Sequence, residues 1–153
     1  MESEYLNLLR LFHEEGVEYV VVGGYAVIAH GFPRTTADLD VLVNPTVANA
    51  QRAVRALGRF GYTEGEFEAA DFTTVPNFLS FASRGVWIDL LTQTPGVTFA
   101  DCQRGALVVM LDGVPVRYIN LAALRQTKQA TGRPHDLRDL DNLPTPDYPA
   151  TGC

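Results

Sequence analysis

The sequence predicts an α/β (α+β) domain, a mixed β-sheet flanked by helices. Short β-branched runs are interleaved with segments of helical period. Two pairs of short strands are joined by tight turns, which makes part of the sheet antiparallel. At 153 residues, 46% hydrophobic and 20% charged, the chain is long enough to bury one core without staples.

Tyr5, Leu8, Leu9 and Phe12 repeat at helical spacing, and Gly16 closes that helix. Val17 to Val22 is β-branched and too short for a helix, so it reads as a buried strand. Gly23-Gly24 turns the chain into a short helix over Tyr25 to His30, ended by Gly31, Phe32 and Pro33. Asp38 to Val43 is the next strand. Thr46 caps a helix that turns Val47, Ala50, Val54 and Leu57 inward. Tyr62 to Pro76 reads as an acidic loop. Phe78 to Ala82 and Val86 to Leu91 form a hairpin through Arg84-Gly85.

Thr98 to Gln103 is a helical turn, and Ala106 to Leu111 and Val114 to Ile119 flank Asp112-Gly113, a strong hairpin signal. Asn120 caps a helix carrying Leu121 and Leu124 and ending at Gly132. Pro134 starts a last helix carrying Leu137, Leu140 and Leu143. One domain is expected over residues 1–143, with a Pro-rich flexible tail over 144–153.

A net charge of −6 argues against broad capture of nucleic acid, which needs a basic face. Cys102 and Cys153 are too few for a disulfide scaffold or a thiolate zinc site. Met1-Glu2-Ser3-Glu4 is not a basic leader, and the apolar run Tyr19 to Val22 is too short to span a bilayer. A soluble, cytoplasmic domain with no membrane partner is expected.

The chemistry concentrates in three acids. A strand sends residues i and i+2 to one face about 7 Å apart, so Asp38 and Asp40 share a face while Leu39 points into the core. Two like charges so placed need solvent or a cation between them, and Mg²⁺ prefers one or two carboxylates plus substrate phosphates. Asp89 stands inside the apolar run Val86 to Leu91, where an unpaired charge is costly. Its bland explanations are a buried arginine partner or a solvated face. Three converging strand acids fit a two-metal phosphoryl-transfer site better. Gly23-Gly24, between strand and helix, would let backbone N–H groups approach a phosphate, or would serve tight packing alone.

The segments Val21-Val22-Gly23-Gly24-Tyr25-Ala26-Val27 and Arg34-Thr35-Thr36-Ala37-Asp38-Leu39-Asp40-Val41 resemble the polymerase-β-type nucleotidyltransferase superfamily. The Arg-x-Thr-x-Asp-x-Asp variant is most similar to stand-alone bacterial members, the abortive-infection toxins and small antibiotic nucleotidyltransferases. Lys128, then Arg133-Pro134-His135-Asp136-Leu137-Arg138-Asp139, is similar to the Lys…Arg-x-Lys-Asp-x-x-Asp ending of the toxin group, with His135 where a lysine is common.

The resemblance implies a minimal nucleotidyltransferase fold with a short C-terminal helical pair. It implies that Gly23 and Gly24 hug a triphosphate while Asp38 and Asp40 bind metal, with Asp89 completing the metal site and the catalytic set. Lys128 and Arg133 would face the phosphates, and Arg34 and Thr36 would position the loop or contact the nucleotide. The implied reaction moves an NMP from an NTP, with Mg²⁺ or Mn²⁺, to a hydroxyl on an RNA end such as tRNA, a protein or a small molecule. A binding module of the same fold, paired with a cognate protein as in toxin–antitoxin systems, is the alternative.

Plainer readings compete residue by residue. Basic Lys128 and Arg133 suit a helix C-terminus in any case. Arg34 could neutralise Asp38. Asp136, Asp139 and Asp141 read as a solvated side of the last helix. Phe78, Phe81 and Trp87 read as core, with base stacking left open for Trp87. His13 and His30 read as helix-end residues, and Cys102 as inert.

Overall fold

The computed structural model describes residues 1–146. Its sheet is organised around β1 (Tyr19–Val22), whose four residues are all buried, as a β-branched run flanked by other strands should be. The strand β2 (Asp38–Val43) runs antiparallel to β1, with Val22 opposite Asp40. On the other side of β1 lies β6 (Val114–Tyr118), parallel and paired through Val21 and Tyr118. Outside β2 lies β4 (Val86–Leu91), parallel to it, and β3 (Phe78–Ser83) makes one edge. β5 (Leu107–Leu111) makes the other edge, so the six-stranded order is β3-β4-β2-β1-β6-β5. The sheet is mixed, as expected.

Both expected hairpins form. Each turn holds two consecutive residues at positive φ, Arg84 (49°) with Gly85 (83°) and Asp112 (48°) with Gly113 (79°). That backbone twist matches the twist of the paired strands.

Alternation sorts the central strands into two faces. Leu39, Val41, Ile88 and Leu90 go into the core, while Asp38, Asp40 and Asp89 share the other face. The core continues through the buried sides of α1 (Ser3–Glu14) and α3 (Val47–Phe60), which pack on each other. The Tyr5 hydroxyl of α1 donates to the Trp87 carbonyl at 2.8 Å, tying the helix to β4.

Five sequence readings change. The first strand begins at Tyr19, with Val17 buried just before it, and α2 (Gly23–Ala29) takes in both glycines instead of starting after them. The acidic stretch is not all loop: α4 (Ala69–Thr73) is held by reciprocal capping between Glu68 and Asp71 and by buried Phe72. Phe67 packs edge-on against Tyr62 and Phe81, with centroids 5.0 and 5.3 Å apart, so aromatic packing orders a segment whose charge reads as loop. Val47 is 64% exposed at the start of α3, whose inward face is Asn49, Ala50, Ala53, Ala56 and Leu57. α7 (Pro134–Asn142) exposes Leu137 and buries Asp136 and Asp139 instead.

Two further helices complete the chain, α5 (Phe99–Gln103) and α6 (Leu121–Thr131), the latter capped by the Asn120 side chain. No helix among the described residues is long and apolar enough to cross a membrane. Most of the expected tail, 147–153 including Cys153, lies outside the described residues.

Asn49 anchors α3 from inside the core. Its Oδ1 accepts from the Glu18 N–H at 2.7 Å, and its Nδ2 donates to the carbonyls of Glu18 (3.0 Å) and Asn44 (2.8 Å). Asn49→Ala strands these backbone groups and should lower unfolding stability by about 2–3 kcal/mol, read from urea denaturation. An unchanged midpoint would show that the network contributes nothing.

Candidate active site

Register places the acids. β2 and β4 run parallel with Asp40 beside Asp89, and Ser80 of β3 is opposite Asp89. One oxygen from each of Asp38, Asp40 and Asp89 lies within 4.8 Å of the others. This is a group that could hold a divalent cation. Asp89 is 8% exposed, and its Oδ1 accepts from the Ser80 hydroxyl at 2.6 Å, so no buried arginine explains it. Burial, a hydrogen bond with Asp89 and the charges of Asp89 and Asp38 push Asp40 up to about 7, against the attraction of Lys128.

Gly23 is required by space and by conformation, and Gly24 by space. Gly23 sits at φ 66°, and a Cβ there would lie 2.1 Å from Asp40 Oδ2. A Cβ on Gly24 would lie 2.3 Å from Thr36 Oγ1 and 3.3 Å from Arg34 Nη1. The pair therefore lets the start of α2 approach Asp40 and the Arg34–Thr36 loop closely. Both packing and access are served by the same missing side chains.

Across from the acids, α6 and α7 supply cations held by buried carboxylates. Lys128, 8% exposed, reaches Asp139 at 3.0 Å and Asp136 at 3.3 Å. Arg34 grips Asp139 with two hydrogen bonds, 2.9 Å from Nε and 3.0 Å from Nη2. Its partner is thus Asp139 and not Asp38. Arg133 donates from Nε to Asp136 at 2.7 Å while most of its side chain stays in solvent. Burial alone would raise Asp136, but hydrogen bonds from Arg133 and Thr131 and the charge of Lys128 hold it well below the usual carboxylate range. Asp136 and Asp139 are therefore not a solvated face; only Asp141 is exposed.

All nine residues singled out from the sequence line one cleft of about 500 Å³: Gly23, Gly24, Arg34, Thr36, Asp38, Asp40, Asp89, Lys128 and Arg133. That volume suits a small-molecule ligand. Phe78 lines the same cleft and is 57% exposed, and Trp87 is 51% exposed, so neither is a core residue as read from the sequence. His30 caps α2 and bonds the Ile119 carbonyl at 2.7 Å. Cys102 is fully buried, and burial pushes its thiol up to about 12, as suits an inert thiol.

Sequence comparison finds no matching family model and no matching curated protein. Comparison of structures does find matches. A Thermotoga maritima protein provisionally named a nucleotidyltransferase superposes with a TM-score of 0.59 at 18% identity, over 92% of both chains. A lincosamide antibiotic adenylyltransferase, solved with lincomycin bound, superposes at 0.60 and 17% identity, over 93% of this chain and 95% of that one. The chain has the nucleotidyltransferase fold. At these identities the likeness concerns architecture.

Within this nucleotidyltransferase fold, sequence reasoning passed over Ser80, Asp136 and Asp139. Ser80 carried a faint signal, since it alternates with Leu79 and Phe81 on the strand paired to Asp89. Asp136 and Asp139 are spaced i, i+3 on the helix after Lys128. Their acidity suggested solvent, whereas each pairs with a buried or half-buried cation.

Two outcomes follow. Between pH 3.8 and about 7 the folded Asp40 holds a proton that the unfolded chain has lost, so its contribution to stability falls as pH rises through that window. In thermal melts with EDTA, Asp40→Asn should gain stability relative to wild type as pH rises from acid to neutral; parallel pH curves would contradict the burial of Asp40. Asp139→Ala leaves Arg34 and Lys128 short of a carboxylate and should cost about 3–5 kcal/mol in urea unfolding, against about 0.5 kcal/mol or less for Asp141→Ala.

Proposed function

We propose that the protein is a nucleotidyltransferase that moves an NMP from an NTP to a hydroxyl acceptor with release of pyrophosphate. One observation carries this reading: three strand carboxylates, a glycine-opened helix start and a held lysine face the same cleft. The fold likeness supports it. The lincosamide adenylyltransferase is matched over 95% of its chain, which favours an enzyme over the alternative binding module of the same fold.

An all-oxygen set of three carboxylates suits Mg²⁺ or Mn²⁺ and not a soft metal. Asp38, Asp40 and Asp89 would hold the cation, which when bound neutralises phosphate charge and the repulsion between the acids. Gly23 and Gly24 bring backbone N–H groups, unpaired at a helix start, within reach of the triphosphate. Lys128, fixed by Asp136 and Asp139, adds a positive charge on the facing wall, and Arg133 reaches the same space from solvent. Arg34 and Thr36 hold the loop against Gly24.

In the transfer, the acceptor oxygen bonds to the α-phosphorus as the bond to pyrophosphate breaks. Asp89, oriented by Ser80, takes the hydroxyl proton. We assign the catalytic domain to residues 1–143 and leave the acceptor to be found among RNA ends, proteins and small molecules.

The test supplies each of ATP, GTP, CTP and UTP, α-labelled, with Mg²⁺ to separated RNA, protein and small-molecule fractions of a cell extract. Wild type should label one fraction, and a folded Asp40→Ala protein should do so about 10³-fold more slowly. Undiminished transfer by Asp40→Ala, or failure of wild type to bind any of the four NTPs, would overturn the reading.

A further inference from the structure

The acid-bearing face of the sheet does not end at the cleft. Past the acids, β3 and β4 continue as an open strip. Ser80 and Ala82 are exposed on β3, while Leu79 and Phe81 alternate inward against the core. Trp87 is 51% exposed on β4, two residues before Asp89 on the same face. Cross-strand register puts Trp87 between Asp38 on one side and Ala82 on the other. The cleft runs the opposite way along β4, toward Leu91, Thr94 and Pro95 under α6, and Trp87 is not part of its lining.

We infer that Trp87 is the platform on which the acceptor lies, and that the acceptor is a small neutral or cationic molecule with a flat or apolar ring beside its reactive hydroxyl. The inference rests on the nucleotidyl-transfer reading. In-line displacement places attacking and leaving oxygens on opposite sides of the phosphorus. With pyrophosphate among Gly23, Gly24 and Lys128, the hydroxyl approaches from the β4 side, over Asp89. The surface met there is Trp87 with Ser80 and Ala82 beside it.

The chemistry of the strip selects the class. A half-exposed indole offers a face for stacking, and small Ser80 and Ala82 leave room above the sheet. No lysine or arginine stands at positions 78, 80, 82, 87, 89 or 91, and three acids adjoin. Arg84, at the turn, is turned toward Glu4 at 3.7 Å. A single-stranded nucleic acid needs cations tracking its backbone alongside aromatic platforms, so this strip disfavours an RNA end.

Trp87 is the sole tryptophan, so its emission reports on this surface directly. The probes are phenyl β-D-glucoside and methyl β-D-glucoside, which share their hydroxyls and differ in the ring, and oligoadenylate. Phenyl glucoside should shift Trp87 emission saturably, with a midpoint about tenfold lower than methyl glucoside. By calorimetry, Trp87→Ala should lose that preference and Trp87→Phe should keep it.

Equal midpoints for the two glucosides, a preference surviving in Trp87→Ala, or a stronger response to oligoadenylate would overturn the inference. The four NTPs with Mg²⁺ are titrated into wild type in parallel. Binding of an NTP without glucoside discrimination strikes the Trp87 platform alone; failure of all four overturns the nucleotidyl-transfer reading and the platform with it.

Discussion

The mutual repulsion of Asp38, Asp40 and Asp89, gathered within 4.8 Å on two parallel strands, is the constraint from which the rest of the site follows. Burial, and after it the closeness of the other two carboxylates, raises the proton affinity of Asp40, which is pushed up to about 7. The fold tolerates the arrangement because Leu39, Ile88 and Leu90 on the reverse face lock the strands into the core. A one-residue slip of either strand would bury the acids and expose the leucines. Gly23 belongs to the same constraint, since any side chain there would collide with Asp40.

A second layer of charge answers the first. Arg34, Lys128 and Arg133 are each paired with Asp136 or Asp139, two carboxylates buried on the inner side of α7. Burying these acids is unfavourable without partners, and the pairs offset that cost while fixing the cations in place. The short C-terminal helical pair is thus a clamp on the cleft wall. It presents positive charge to the cleft without letting those side chains collapse onto the acids of the sheet.

What the sequence discloses follows from which forces were local. Asp38-Leu39-Asp40 announces its two faces through strand alternation, and Arg84-Gly85 and Asp112-Gly113 announce their hairpins through residues that accept positive φ. Asp38, Asp40, Asp89, Gly23 and Gly24 could be named because their types and spacing suit metal and phosphate chemistry, whereas Arg34, Thr36, Lys128 and Arg133 came only from the family resemblance. The inner face of α7 was illegible, since binary patterning assigns leucine inward and aspartate outward, and buried ion pairs invert that rule. α4 was hidden because its order depends on Phe72 stacking on Phe67, which in turn packs against Tyr62 and the distant Phe81. The parallel placement of β6 beside β1 is equally non-local, being set by the sheet as a whole.

The central claim is that the three acids form a cation site held open at the cost of a proton on Asp40. Calorimetric titration of Mn²⁺ into the protein near pH 7, repeated in two buffers of different ionisation enthalpy, counts protons released on binding. The account predicts saturable binding with a buffer-dependent heat corresponding to partial release of one proton, diminishing as the pH is raised above 8. No saturable binding, or heats identical in both buffers at pH 7, would contradict it.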